Sequence, residues 1–250
     1  MSKVVAGKPA QINDRQFMWC PGCHYGIITR LIAETLEELG VAGKTIGVSP
    51  VGCSLAMHEY LTLDFADALH GRAPAVATGI KRVHHGDALV FTVQGDGDLC
   101  AIGMGDAMNA AVRGENITMI FLNNANYGTT GGQLAPTSLV GQVTSTTPDG
   151  RDPQRAGYPV HMAELMATMR GVVYAARCAV NTAANFTRAR KALKTAFQKQ
   201  IEGQGLSFVE ILSACPPNWH KSPTDALAWI AETMIREYPL GELKNVARVE

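Results

Sequence analysis

Charge is scarce in this sequence and evenly divided. Only 18% of the 250 residues are Asp, Glu, Lys or Arg, with 22 of each sign, against roughly a quarter in a typical soluble domain. No basic surplus exists to meet a nucleic acid or an anionic membrane surface, so neither is expected as a partner. Few charges beside 46% hydrophobic residues point instead to surface buried against other subunits. No apolar run approaches the ~18 residues a membrane span needs. Met1–Gly7 carries one Lys and no apolar stretch, so no signal peptide and a cytoplasmic location are expected. In that reducing compartment the six cysteines are not expected to pair as disulfides, and metal or cluster ligation and redox chemistry become the options.

Repeats, low-complexity tracts and long linkers are also missing, so residues 1–250 read as a single domain. Apolar positions at Ile27, Ile28, Leu31, Ile32, Leu36 and Leu39, closed by Gly40, predict a helix over Tyr25–Leu39. Short unalternated apolar runs at Thr45–Val48, Ala88–Val93, Ile117–Leu122, Val172–Cys178 and Ser207–Leu212 read as strands buried on both faces. Helical stretches fall between and after them, at Leu99–Val112, Ala183–Ile201 and Asp225–Tyr238. The rhythm predicts an α/β fold: a mostly parallel sheet with helices on both faces. One long loop, about 124–161, is rich in Gly, Pro and Thr and follows directly on a strand. Loops there are usually functional, since open parallel sheets bind ligands at the carboxyl ends of their strands.

The strand Ala88–Val93 runs into Gln94-Gly95-Asp96-Gly97-Asp98 and then a helix. Glycines permit close backbone approach, and a helix start offers N–H groups to a phosphate. A carboxylate in that place repels a phosphate unless a divalent cation bridges them, and Mg²⁺ commonly joins one or two protein oxygens to a diphosphate. A second oxygen donor ends the next strand, in Asn123-Asn124-Ala125-Asn126, with Asn124 standing 28 residues after Asp96. The remaining chemistry lies in cysteine. Cys20-Pro21-Gly22-Cys23 presents two thiols from one turn, and Cys53 and Cys215 each follow a strand beside Gly or Pro. Zinc, an iron–sulfur cluster and dithiol redox chemistry all suit such a set. Cys100 and Cys178 fall inside a helix and a strand and read as core.

The Gly-Asp-Gly and Asn-Asn pair resembles the thiamine diphosphate-binding motif. That resemblance implies that Asp96, the Asn124 side-chain oxygen and the Asn126 carbonyl ligate Mg²⁺, with Gly95, Gly97, Asp98, Thr130 and Gly131 against the cofactor. Together with Trp19–Cys23, Val51–Ser54, His70-Gly71-Arg72-Ala73-Pro74, Ala77-Thr78-Gly79 and Thr130-Gly131-Gly132-Gln133, the motifs resemble the β subunit of 2-oxoacid:ferredoxin oxidoreductases. The match runs from roughly Phe17 to Leu240, and the segments Gly150-Arg151-Asp152 and Gly157-Tyr158-Pro159 look most like the branched-chain, or 2-oxoisovalerate, type. It implies a [4Fe–4S] cluster on Cys20, Cys23, Cys53 and Cys215, and oxidative decarboxylation of a 2-oxoacid to acyl-coenzyme A and CO₂ with electrons passed to ferredoxin. It also implies an α subunit supplying the pyrimidine-binding domain and catalytic Glu, and a small ferredoxin-like subunit. No catalytic residue is assigned with certainty to this chain; His70 and Arg72 are the candidates for cofactor or substrate contact, with His24 behind them. Glu59 is expected to be structural. Two departures stand out: Thr129 where relatives carry Met, and Ala56 where some carry a substrate-binding Lys. The rival readings are 2-oxoglutarate or an arylpyruvate as substrate, and a non-oxidative thiamine enzyme with a structural four-cysteine zinc site. A nicotinamide dehydrogenase would want Gly-x-Gly-x-x-Gly at the first strand, which is not found.

Overall fold

The computed structural model describes residues 7–84 and 87–247; residues 1–6, read above for a targeting segment, lie outside it. The first helix, α1 (Tyr25–Leu39), buries Ile28, Leu31, Ile32 and Leu36, one stripe at helical spacing. It stops at Gly40, whose φ of 65° closes the last turn as a left-handed cap. Then follow β1 (Thr45–Pro50), β2 (Asp64–Ala68), α2 (Ala73–Val83), β3 (Leu89–Gly95), α3 (Met104–Arg113) and β4 (Thr118–Asn123). After the long loop, which holds the short α4 (Pro153–Ala156), come α5 (Met162–Thr168), β5 (Val172–Ala179), α6 (Ala183–Ile201) and β6 (Leu206–Leu212). The chain closes with α7 (Pro223–Trp229), α8 (Ile235–Glu237) and β7 (Gly241–Asn245).

The strands form one sheet in the order β2-β1-β3-β4-β6-β5-β7. The first six run parallel and β7 pairs antiparallel with β5. One apolar layer packs α1 and α6 on one face through Leu31, Ile32, Leu193 and Phe197 against Phe91 and Val209. A second packs α2, α3 and α5 on the other, around Val90, Phe121 and Phe208. A third, smaller layer joins Leu139 of the loop to Ala226, Ile230 and Tyr238 near the C-terminus. The α/β class and the parallel sheet are as the sequence predicts.

Two strands escape the apolar pattern, β2 (DFADA) and β7 (GELKN). Both lie at the sheet's edges, where half the residues meet water and no apolar run is needed. Two helices also differ from expectation. The stretch predicted as Leu99–Val112 is a π-helical turn over Asp98–Ile102, a break at Gly103 and then α3. That predicted as Asp225–Tyr238 is α7, a π-helical turn over Ile230–Met234 and α8. Helical periodicity survives such a widened turn, so the sequence reads straight through it. The unpredicted α2 and α5 are short amphipathic helices covering the second face. Among the described residues no helix is long and apolar enough to cross a membrane.

Candidate functional site

Parallel strands deliver their carboxyl ends to one edge of the sheet. In spatial order β2, β1, β3, β4 and β6 are followed by His70, Cys53, Asp96, Asn124 and Cys215. Leaving β1, the chain goes to β2 on one side and returns through β3 on the other, which opens the crevice where such sheets bind ligands.

Asp96 is only 1% exposed. Its carboxylate accepts the backbone N–H of Asn124 at 3.0 Å and of Ala125 at 3.1 Å, and the Thr137 hydroxyl. Burial nevertheless pushes its pKa up to about 7, because a desolvated carboxylate lacks a compensating positive charge. The Asn124 side-chain oxygen faces two further acceptors, Asp96 Oδ2 and the Asn126 carbonyl, each at 2.8 Å. Adjacent oxygens around an octahedral Mg²⁺ stand roughly 2.9 Å apart, given metal–oxygen bonds of about 2.0–2.1 Å. The three oxygens therefore fit a hard divalent cation. Rotating the amide would relieve the same crowding by donating a hydrogen bond to both neighbours, but would leave the buried carboxylate without a counter-charge.

The turn holding these donors is fastened from several sides. Ala125 adopts a left-handed φ of 56°, uncommon for a residue with a Cβ. Its N–H donates to Asn123 Oδ1 as well as to Asp96, and its carbonyl accepts Ser138 Oγ at 2.6 Å and Gln142 Nε2 at 2.9 Å. Trp219 Nε1 donates to the Asn124 carbonyl at 3.0 Å. Asn123 in turn donates to Glu210 at 2.7 Å, and Glu210 pairs with Arg177 at 2.9 Å, all three being buried. The long loop is ordered around Arg151, whose guanidinium donates to the carbonyls of Ala135, Pro136, Ser138, Ala156, Gly157 and Tyr158.

Beside this turn lies a cavity of about 460 Å³, lined by Gly95–Asp98, Asn124, Asn126, Thr130, His70 and Tyr25 among others. Gly97 must be glycine, since a Cβ there would fall 1.8 Å from the Tyr127 ring. Asp98 lines the cavity but is turned to hold its neighbours: it accepts Gly71 N at 2.5 Å and Gln94 Nε2 at 2.6 Å, and His70 Nδ1 lies 3.0 Å away. Arg72 is drawn to Asp106 at 3.0 Å and neither it nor Gly131 lines the cavity. His24 is buried outside the cavity, where desolvation lowers its pKa to about 4.

A second cavity, about 400 Å³, is lined by all four of Cys20, Cys23, Cys53 and Cys215. The Cys20–Cys23 turn depends on Gly22, at φ 78°, where a Cβ would strike Pro223 at 2.7 Å. Burial pushes the thiol of Cys23 up to about 12 and that of Cys215 up to about 11, and raises Cys53 too. Among the described residues no three His, Cys, Asp or Glu side chains stand close enough to hold a single metal ion. Cys100 and Cys178 are buried in the core, as their positions in the sequence suggest. Glu59 pairs with Arg15 and lies 3.1 Å from His58. Ala56 sits on the wall of the thiol cavity.

The two cavities share a wall. Tyr25, Gly52, Cys53, Asn124, Gly128 and Thr129 line both. Tyr25, Thr137 and Trp219 were not marked by the sequence; each reaches the site through packing, with no local motif to single it out.

Residues 50–211 match the family model "Thiamine pyrophosphate enzyme, C-terminal TPP binding domain". The chain is 41% identical over 255 residues to ketoisovalerate oxidoreductase subunit VorA of Methanothermobacter thermautotrophicus, covering 98% of this chain and 53% of that protein. It is 36% identical over 220 residues to 2-oxoglutarate synthase subunit KorB of Archaeoglobus fulgidus, covering 88% and 77%. Its fold superposes with a TM-score of 0.78 and 27% identity on the 2-oxoglutarate:ferredoxin oxidoreductase of Magnetococcus marinus, solved with 2-oxoglutarate, coenzyme A and succinyl-CoA bound, covering 98% and 87%. The chain spans about half the length of the VorA proteins it matches.

Proposed function

The chain belongs to the thiamine pyrophosphate enzymes, among the 2-oxoacid:ferredoxin oxidoreductase subunits, and from that premise we propose that it supplies the diphosphate-binding half and the electron outlet of an active site completed by another domain. The overall reaction is oxidative decarboxylation: a 2-oxoacid anion and coenzyme A give acyl-coenzyme A, CO₂, one proton and two electrons. The observation that carries this reading is the wall shared by the oxygen-lined and thiol-lined cavities. A cofactor held in one would lie close to an electron acceptor held in the other.

When bound, thiamine diphosphate supplies the carbon nucleophile and electron sink for decarboxylation, and a [4Fe–4S] cluster supplies one-electron acceptance. This chain's own residues bind and orient. Asp96, Asn124 and the Asn126 carbonyl would hold Mg²⁺, whose charge would offset the burial that lifts the Asp96 pKa. The Gly95–Asp98 turn and Thr130 face the diphosphate, and His70, fixed between Val51 O and Asp98 at 3.0 Å from each, faces the same cavity. Cys20, Cys23, Cys53 and Cys215, which all line the second cavity, would hold the cluster; a zinc ion there would carry no electrons. The carboxylate that activates the aminopyrimidine lies on a partner domain outside these residues, beside a ferredoxin-like subunit, with ferredoxin as acceptor. A branched-chain 2-oxoacid is the favoured substrate, supported by the 41% identity to the ketoisovalerate oxidoreductase subunit. A cytoplasmic setting is supported by a four-cysteine cluster site whose thiols are free of disulfides.

Anaerobic purification with metal and sulfide analysis tests the central claim. About four irons and four sulfides per chain are expected. One zinc with no sulfide overturns it.

A further inference from the structure

Cys53 stands apart from the other thiols. It alone lines both cavities, and its sulfur lies 3.0 Å from the Thr129 hydroxyl. Gly128 lies against the same sulfur: a Cβ there would stand 3.4 Å from it, in van der Waals contact. The Cys53 carbonyl is fixed separately, accepting Trp19 Nε1 at 2.8 Å. Tyr127-Gly128-Thr129 continues directly from Asn126, so one short segment runs from the three-oxygen site to this sulfur. The segment is itself tied down by Asn218, which donates to the Gly128 carbonyl at 2.8 Å and lies 3.3 Å from Cys215 Sγ.

Between a thiol and a hydroxyl either atom can donate. A sulfur bound to iron has no proton, so Thr129 then becomes the donor. Hydrogen bonds to cluster sulfurs are among the levers that set the potential of an iron–sulfur centre. The sign is fixed by electrostatics. Reduction adds one negative charge to the cluster and its thiolates, and a donor stabilises the more negative state, so the potential rises.

We infer that Thr129, by donating its hydroxyl proton to the Cys53 sulfur, is a positioning residue that raises the reduction potential of the centre held by the four cysteines. It does so on the side facing the thiamine cavity. The balance is that of the reaction above: the 2-oxoacid loses two electrons as it is decarboxylated and acylates coenzyme A, and the centre takes them one at a time and returns to its oxidised state by reducing ferredoxin. Thr129 neither gains nor loses an electron; it keeps its proton and shifts the driving force of uptake. The inference rests on the iron–sulfur reading of the cysteines.

The test is a redox titration of the anaerobically purified complex, followed by the visible bleaching of the cluster and by EPR of its reduced form. Thr129→Val keeps the shape and removes the donor, and is expected to move the midpoint to a more negative potential. Thr129→Ser restores a hydroxyl and is expected to hold the wild-type midpoint. An unshifted midpoint in Thr129→Val, with iron and sulfide per chain at the wild-type level, overturns the inference while leaving the cluster in place. Equal shifts in both variants overturn it as well, since the hydroxyl would then not be the cause. Wild-type protein without iron and sulfide removes the cluster reading and this inference together.

Discussion

At the scale of single residues the site turns on Asp96, a buried carboxylate whose neighbours are N–H donors and other oxygens. Its own hydrogen bonds do not cancel the cost of burial, which is why its pKa sits at about 7. Asp96→Ala is expected to abolish Mg²⁺-dependent binding of thiamine diphosphate. Calorimetric titration with Mg²⁺ and with EDTA checks this, and an affinity equal to wild type refutes the assignment. Asp96 and Asn124 were legible in the sequence because each directly follows an apolar strand, and a fixed interval separates them. Thr137 and Trp219 were not. Thr137 reaches Asp96 from within the loop, and Trp219 reaches the Asn124 carbonyl from beyond β6; no periodicity marks either. Arg72 pairs with Asp106, and a motif position alone does not say which way such a side chain turns.

At the scale of elements the noteworthy join is between β5 and β6. Arg177 and Glu210 face each other in register, both fully buried, and a second carboxylate, Glu164, bonds Arg177 through Nη1 at 2.7 Å. Removing one member strands a buried charge. Arg177→Ala is therefore expected to destabilise the fold by about 3–5 kcal/mol, whereas replacing the buried pair together by apolar residues of similar volume costs far less. Urea unfolding of both variants measures the difference; equal midpoints for the two would contradict it. Since Glu210 also accepts from Asn123, the first variant should weaken Mg²⁺-dependent cofactor binding too. The sequence predicts β5 as an apolar run despite Arg177, because the surrounding residues carry the pattern. It misses β2 and β7, because edge strands satisfy their polar residues with water and leave no apolar signature.

At the scale of the whole molecule, one sheet edge collects Asp96, Asn124, Cys53 and Cys215 beside the Cys20–Cys23 turn, and the proposed chemistry still needs an activating carboxylate from a partner domain. The isolated chain is expected to oxidise no 2-oxoacid, and activity is expected to appear on mixing with the partner domain. A ferredoxin-reduction assay with 2-oxoisovalerate, 2-oxoglutarate, pyruvate and an arylpyruvate reads out both the dependence and the preference. Full-rate turnover by the single chain would contradict it. The expectation of a half-site comes from motif count, one diphosphate signature in 250 residues; the shared wall was not legible there, because adjacency of two cavities belongs to the folded chain. The long loop has a consequence of another kind. Arg151 holds it entirely through main-chain carbonyls, so the anchoring asks nothing of the identities of the residues it gathers. Side chains such as those of Ala156 and Tyr158 can change to suit a new substrate or a new neighbour without loosening that anchor, whereas Ser138 is held through its own hydroxyl as well.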